Sequence, residues 1–458
     1  MHYLPHTPDD VRRALAEIGV DSIDALFEDV PEALRDPTID LPPAMHEAEL
    51  LAHLKDLARK NRVDGPDFLG GGVRRHFIPT VTKHLALQSE FVTAYTPYQA
   101  EVAQGVLQAT FEYQTVMAEL TGLDVSNASM YDGATAVAEG ALLAVRQTRR
   151  ERVVVSRGVH PETREVLATY LQPLGITLDV IDLDPLVTPT PVVDDDVACL
   201  VAQQPNYLGY LENMPALTEA AHAAGALMLA AVDPLSLALL EPPGAYGADI
   251  AAGDGQRLGN PVNFGGPSFG FMVVKEPLLR QFPGRLVGQT VDVDGRRAFV
   301  LTLQAREQHI RRSKAKSNIC SNHQLTALMA TINVAALGPG GLRALVVGSV
   351  ARTHRLADRL AEAGLAPENG ARFFDEFVLH TRQTAEEVRG ALARHGVQAG
   401  VAVPTEYGLG NAILLAATES TSDADIDTLA RALERIGETA GGSGPNGAGR
   451  AAREAVHG

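Results

Sequence analysis

Between residues 61 and 340, short apolar, β-branched runs alternate with amphipathic stretches, and this alternation constrains the fold most strongly. The strand candidates are Arg152–Ser156, Thr177–Leu183, Val197–Gln203, Leu227–Val232, Asp249–Ala252 and Phe269–Val274. Strands apolar on both faces and separated by helices predict a largely parallel sheet covered on both sides. The clearest helix is expected from Tyr98 to Leu120. There Val102, Val106, Ala109, Tyr113, Met117 and Leu120 fall at spacings of three and four, with Pro97 suited to a first turn and Gly122 to a stop.

Around this core the pattern predicts three further parts. Residues 1–60 read as an N-terminal helical arm, with Asp9 or Asp10 as cap, Val11, Leu15 and Ile18 as apolar face and Gly19 as terminator. Such an arm packs on another subunit or covers its own domain, and the sequence leaves both open. Residues 61–340 form the large domain and residues 341–440 a small α/β domain. Residues 441–458 form a tail too rich in Gly, Ser and Pro to bury apolar surface, which predicts disorder.

With a net charge of −17, the chain is a poor ligand for nucleic acid or an anionic membrane. No run of about 18 apolar residues predicts a membrane span, and the N-terminus has no signal-peptide pattern. Cys199 and Cys320 are too few and too distant for a disulfide framework or a zinc site, which fits the reducing cytoplasm. The 14 His offer no zinc-hydrolase pattern, so no metal is expected.

Three segments carry the chemistry. Tyr131-Asp132-Gly133-Ala134-Thr135 opens a helix, where backbone N–H groups and the helix dipole suit an anion such as phosphate. Plain helix capping explains the same residues. Asp233 follows an apolar strand, at the edge where open α/β sheets bind ligands, and can pair with a protonated pyridine nitrogen. An Asp capping the next turn is the bland reading. The third segment, Gly253-Asp254-Gly255-Gln256-Arg257-Leu258-Gly259, leads through Gly265-Gly266 to the next strand. Its glycines permit close backbone approach; a tight loop and bulge would use the same residues.

The order of these segments resembles the pyridoxal-phosphate (PLP)-dependent transferases of aspartate-aminotransferase-like fold type I. In that layout a Schiff-base lysine belongs between Asp233 and Val274, and none is there. Lys275 lies beyond the strand, and neither Gln256 nor the permanently protonated Arg257 supplies a free primary amine. The other lysines are Lys55, Lys60, Lys83, Lys314 and Lys316. No catalytic residue is therefore assigned, and Tyr131, Asp132, Gly133, Thr135, Asp233 and Gln256 read as a vestigial cofactor site.

A basic run in this acidic chain, from Leu303 to Asn322, includes Arg306, Arg311, Arg312, Lys314 and Lys316. It suits an acidic partner face, or is a solvated helix face with intrachain partners. Together with Phe68 to Arg74, Ala94 to Glu101, Glu112 to Thr115, Asn127 to Ala136 and Pro283 to Gly288, this run resembles subunit 1 of the glycine cleavage system P proteins over roughly residues 1–440. The resemblance implies a cytoplasmic α2β2 glycine dehydrogenase (aminomethyl-transferring), in which subunit 2 holds PLP covalently and this chain does not. Its substrates are glycine and the lipoyl group of H protein, and CO2 is released. On that basis Tyr95, Thr96, Tyr98 and Gln99 are candidates for the partner's active-site mouth, and Arg306, Arg311 and Arg312 for contact with the partner or H protein. The competing readings are a self-sufficient PLP decarboxylase or lyase, and a noncatalytic scaffold.

Overall fold

The computed structural model describes residues 5–35, 37–61, 65–92, 97–319 and 321–437. Tyr95, Thr96, Cys320 and the expected tail lie outside them. The chain divides into two compact units, Met1–Val63 and Asp64–Gly458.

The first unit carries α1 (Pro8–Ile18) and α2 (Glu47–Ala58). Thr7, rather than Asp9 or Asp10, caps α1; its hydroxyl accepts from the Asp10 amide while Asp10 reaches back to the Thr7 amide at 2.9 Å. Gly19 ends the helix at φ 88°, as the sequence predicts. Neither helix buries a residue, and Leu50, Leu51, Leu54 and Leu57 of α2 are exposed.

The second unit is built on a seven-stranded sheet: β1 (Val125–Ser126), β2 (Arg152–Ser156), β3 (Thr177–Ile181), β4 (Val197–Gln204), β5 (Leu227–Val232), β6 (Ile250–Asp254) and β7 (Gly270–Val274), in spatial order β1-β7-β6-β5-β4-β2-β3. Strands β2 to β6 are parallel, while β7 runs antiparallel to β6 and β1. The sequence-derived strands agree with these within two residues. Alternate side chains explain why they read as apolar throughout: Leu200, Ala202, Met228 and Ala230 point to one core, and Cys199, Val201, Leu229 and Ala231 to the other. Full burial pushes the Cys199 thiol up to about 12, which leaves it a small apolar filler.

Helices α4 (Gln104–Thr121), α7 (Met214–Ala223) and α8 (Gln324–Glu362) cover the first face; α5 (Gly133–Thr148) and α6 (Pro161–Leu171) cover the second. The shorter α3 (Thr80–Ala86) precedes α4. Helix α4 begins at Gln104, not Tyr98. The Gln104 amide leaves the helix pattern to bond both the N–H and C=O of Phe299, each at 2.9 Å, in the hairpin β8 (Leu286–Val291) and β9 (Arg297–Thr302). Helix α8 is the one described helix long and apolar enough to cross a membrane. Gly338, at φ 62°, breaks it ahead of Pro339, and Ala327, Leu328, Ala330, Leu342, Leu345 and Val346 are buried, most of them in the core over the sheet.

The end of α8 packs with α9 (Ala385–Arg394) and α10 (Asp423–Arg435) on a three-stranded antiparallel sheet, β10 (Glu376–His380), β11 (Val401–Ala402) and β12 (Ala412–Ala416). The expected boundary at residue 340 falls two residues after the α8 break.

Candidate functional site

Strands β4, β5 and β6 end along one edge of the large sheet. There their loops, the start of α5, the Gly71–Arg74 loop and the start of β10 enclose a cleft of about 390 Å3. Such an edge is where open α/β sheets place ligands. The cleft gathers Asp132, Gly133, Asp233 and Gln256 as the sequence predicts. Tyr131 instead turns to the segment before α8, where its hydroxyl accepts from the Ser321 amide at 3.3 Å and its ring meets His323 at a tilt of 52°. Thr135 lies inside the first turn of α5, its amide bonded to Asp132.

At the cleft floor is a buried ionic network. Arg257, only 8% exposed, makes a close ion pair with Asp233 and another, at 2.5 Å, with Asp375. Its Nε donates to His76 Nε2 at 2.9 Å. Arg74 bridges Asp375, at 2.5 Å, and Glu376. Gln256 ties the loop down: its Oε1 accepts from the Arg74 amide at 3.2 Å and its Nε2 donates to the Arg74 carbonyl at 3.1 Å. Three carboxylates thus share two guanidinium groups. Burial raises the Asp375 carboxyl, but Arg257 and Arg74 outweigh it and hold the group well below the ordinary range. For Glu376, burial wins and the carboxyl is raised. Burial and Arg257 lower His76, which stays neutral and hydrogen-bonds Glu419 through Nδ1 at 2.8 Å.

The anion cup at the start of α5 is filled from within the chain. The Gly133 amide donates to Asp254 Oδ2 at 3.4 Å, and the Thr135 amide to Asp132 Oδ1 at 2.8 Å. A Cβ on Gly133 would come within 2.7 Å of the Asp254 nitrogen, so only glycine lets α5 start this close to β6. Of the two readings of this segment, anion site and plain cap, the geometry is that of the cap: the Asp132 and Asp254 carboxyl groups take up N–H groups that a phosphate would need.

These residues do not fit PLP. Asp233, the group that would pair with a pyridinium, is already neutralised by a guanidinium that remains protonated. The phosphate end is acidic, and no lysine lines the cleft among the described residues. Lys275 is at the opposite edge of the sheet, bonded to Asp249 at 2.7 Å and the Gly247 carbonyl at 2.8 Å.

Sequence reasoning did not single out Arg74, Asp375 or Glu376 as site residues. Arg74 is the last residue of a motif quoted above, and the adjacent acids open a strand of the small sheet, where burying two carboxylates needs buried cations. Among the interface candidates, Tyr98 and Gln99 are exposed. Arg306 spends its guanidinium on the carbonyls of Phe282, Gly284 and Leu303, whereas Arg311 and Arg312 are exposed.

A family model for the glycine cleavage system P-protein matches residues 1–433. The chain belongs to the glycine cleavage system P-protein family. Among its relatives, "Probable glycine dehydrogenase (decarboxylating) subunit 1" of Carboxydothermus hydrogenoformans is 47% identical over 446 residues, covering 94% of this chain and 99% of that protein. A crystal structure of glycine decarboxylase (P-protein) of the glycine cleavage system, in inhibitor-bound form, is 53% identical with a TM-score of 0.90, over 95% of this P-protein chain and 100% of that one. The sphingosine-1-phosphate lyase of Burkholderia pseudomallei, at 15% identity and a TM-score of 0.61 over 93% of this chain and 98% of that one, shares the fold. The fold is that of type I PLP-dependent enzymes, here on a P-protein chain whose own cleft is closed to the cofactor.

Proposed function

We propose that this chain is subunit 1 of a two-subunit, cytoplasmic glycine dehydrogenase. With subunit 2, in an α2β2 assembly, it decarboxylates glycine, releases CO2 and passes the aminomethyl group to the lipoyl group of H protein. PLP, held covalently by the partner, supplies the electron sink for decarboxylation. This chain's part is to complete and shape the partner's site. The carrying observation is the Arg257–Asp233 ion pair in a cleft that no lysine lines among the described residues. Glycine–bicarbonate exchange with H protein tests the reading. Neither subunit alone should exchange label, and the mixture should. Exchange by this chain alone would support a self-sufficient enzyme, and exchange by the partner alone a scaffold.

The surface supports an assembled state. Phe77, Val81, Leu85, Val92, Val102 and Ile310 are large, apolar and exposed, in segments flanking Tyr98 and Gln99. We assign Tyr95, Thr96, Tyr98 and Gln99 to the partner's active-site mouth on this basis.

Arg311 and Arg312 are assigned to H-protein docking, Arg306 serving to brace their segment. Arg312 holds a left-handed φ of 51° at the surface, a strained conformation for a side chain of this size. The double variant Arg311→Ala/Arg312→Ala should assemble normally and raise KM for H protein about tenfold at low salt, with a smaller effect at high salt because the contact is electrostatic. An unchanged KM would remove this assignment.

A further inference from the structure

We propose that Arg285 is a positioning residue for the reaction, acting through Tyr98; the inference rests on the assignment of Tyr98 to the partner's active site. Tyr98 is half exposed, yet its ring is fixed from behind. Arg285 Nη2 donates to the Tyr98 hydroxyl at 3.0 Å, and its guanidinium carbon is 5.3 Å from the centre of the same ring. The two contacts engage both the polar tip and the body of the phenol, which leaves little freedom in either torsion. His309 also meets the Tyr98 ring, edge-on at 5.6 Å.

Arg285 is itself held. Gly284, at φ 77°, turns the chain into β8, and the Arg285 carbonyl accepts from the Ala128 amide at 2.9 Å. Its guanidinium has Asn322 Oδ1 at 3.5 Å and the buried Glu307 carboxylate at 3.8 Å from Nε. Asn322 in turn donates to the Ala128 carbonyl at 3.2 Å. An arginine that is 4% exposed and reaches outward to a half-exposed phenol is poorly explained by stability alone. A surface tyrosine needs no buried cation to satisfy its hydroxyl, since water serves as well. The planar fork serves Tyr98 and Asn322 from two separate nitrogens at a fixed angle, a geometry that the single rotatable ammonium of lysine does not impose.

The test is a double-mutant cycle in the assembled complex, with kcat for glycine at saturating H protein and gel filtration to verify assembly. Tyr98→Phe is expected to lower kcat about tenfold, Arg285→Met by a similar factor, and the double variant no further than the lower single, because both remove one function. A merely structural Arg285 would give losses that multiply with that of Tyr98→Phe; that result overturns the proposal. So does a normal kcat for Arg285→Met beside an impaired Tyr98→Phe, which leaves the assignment of Tyr98 intact. A normal Tyr98→Phe removes that assignment, and the proposal with it. If Arg285→Met does not assemble, Arg285→Gln replaces it in the same cycle under the same criteria.

Discussion

Arg257→Ala is expected to destabilise the second unit by about 3–5 kcal/mol, the cost of stripping a buried carboxylate of its cation. The substitution leaves two acids exposed to that cost. Asp375, 3% exposed, would keep only Arg74, and Asp233 would lose its cation. Urea denaturation should show a lower midpoint at unchanged slope. Asp375→Asn should cost a similar amount, and the double variant less than the sum, since each removes part of one network. A loss below about 1 kcal/mol, the range of exposed ion pairs, would mean that the network does not hold the cleft together. Its pH dependence has a definite sign. The Asp375 carboxyl is depressed in the fold, so its contribution is fully present above the unfolded value of about 3.9 and is lost as pH falls through the folded one. Glu376 is raised by burial and acts in the opposite sense, because protonation relieves it. The acid-sensitive loss below about pH 4 should therefore diminish in Asp375→Asn and persist in Glu376→Gln.

Gly133→Ala is the second large effect expected, about 1–3 kcal/mol, the range for a methyl group forced into packed structure. Elsewhere in a helix the same exchange stabilises. Here the new Cβ would meet the Asp254 nitrogen at 2.7 Å and the Gly253 carbonyl carbon at 2.9 Å, both backbone atoms of β6 with no side-chain torsion to relieve them. Helix α5 or β6 must shift, which weakens the Gly133–Asp254 bond that fills the anion cup. Thermal unfolding measures the loss. A rise in midpoint would show that α5 tolerates retreat from the sheet, and that the closed cup is not a packing constraint.

The central strands were legible because they lie between two cores and carry their signature in their own residues; Val197 to Ala202 are all buried. The start of α4 was not. The apolar spacing from Tyr98 onward continues a helical stripe, but Gln104 is held by a hairpin nearly 200 residues later. The absent lysine could be read directly, since an absence needs no geometry. What replaced it could not. Arg257 and Asp233 are 24 positions apart, but the acid that completes their charge balance is 118 positions beyond Arg257. Likewise, Asp132 and Gly133 predict an anion site locally, and only the return of Asp254, 121 positions after Gly133, fills it.

Borohydride reduction of the assembled complex after addition of stoichiometric PLP, followed by peptide mass analysis, tests the central claim most directly. The prediction is a phosphopyridoxyl group on a lysine of the partner subunit and none on this chain. Stoichiometric labelling of any of this chain's six lysines would contradict it.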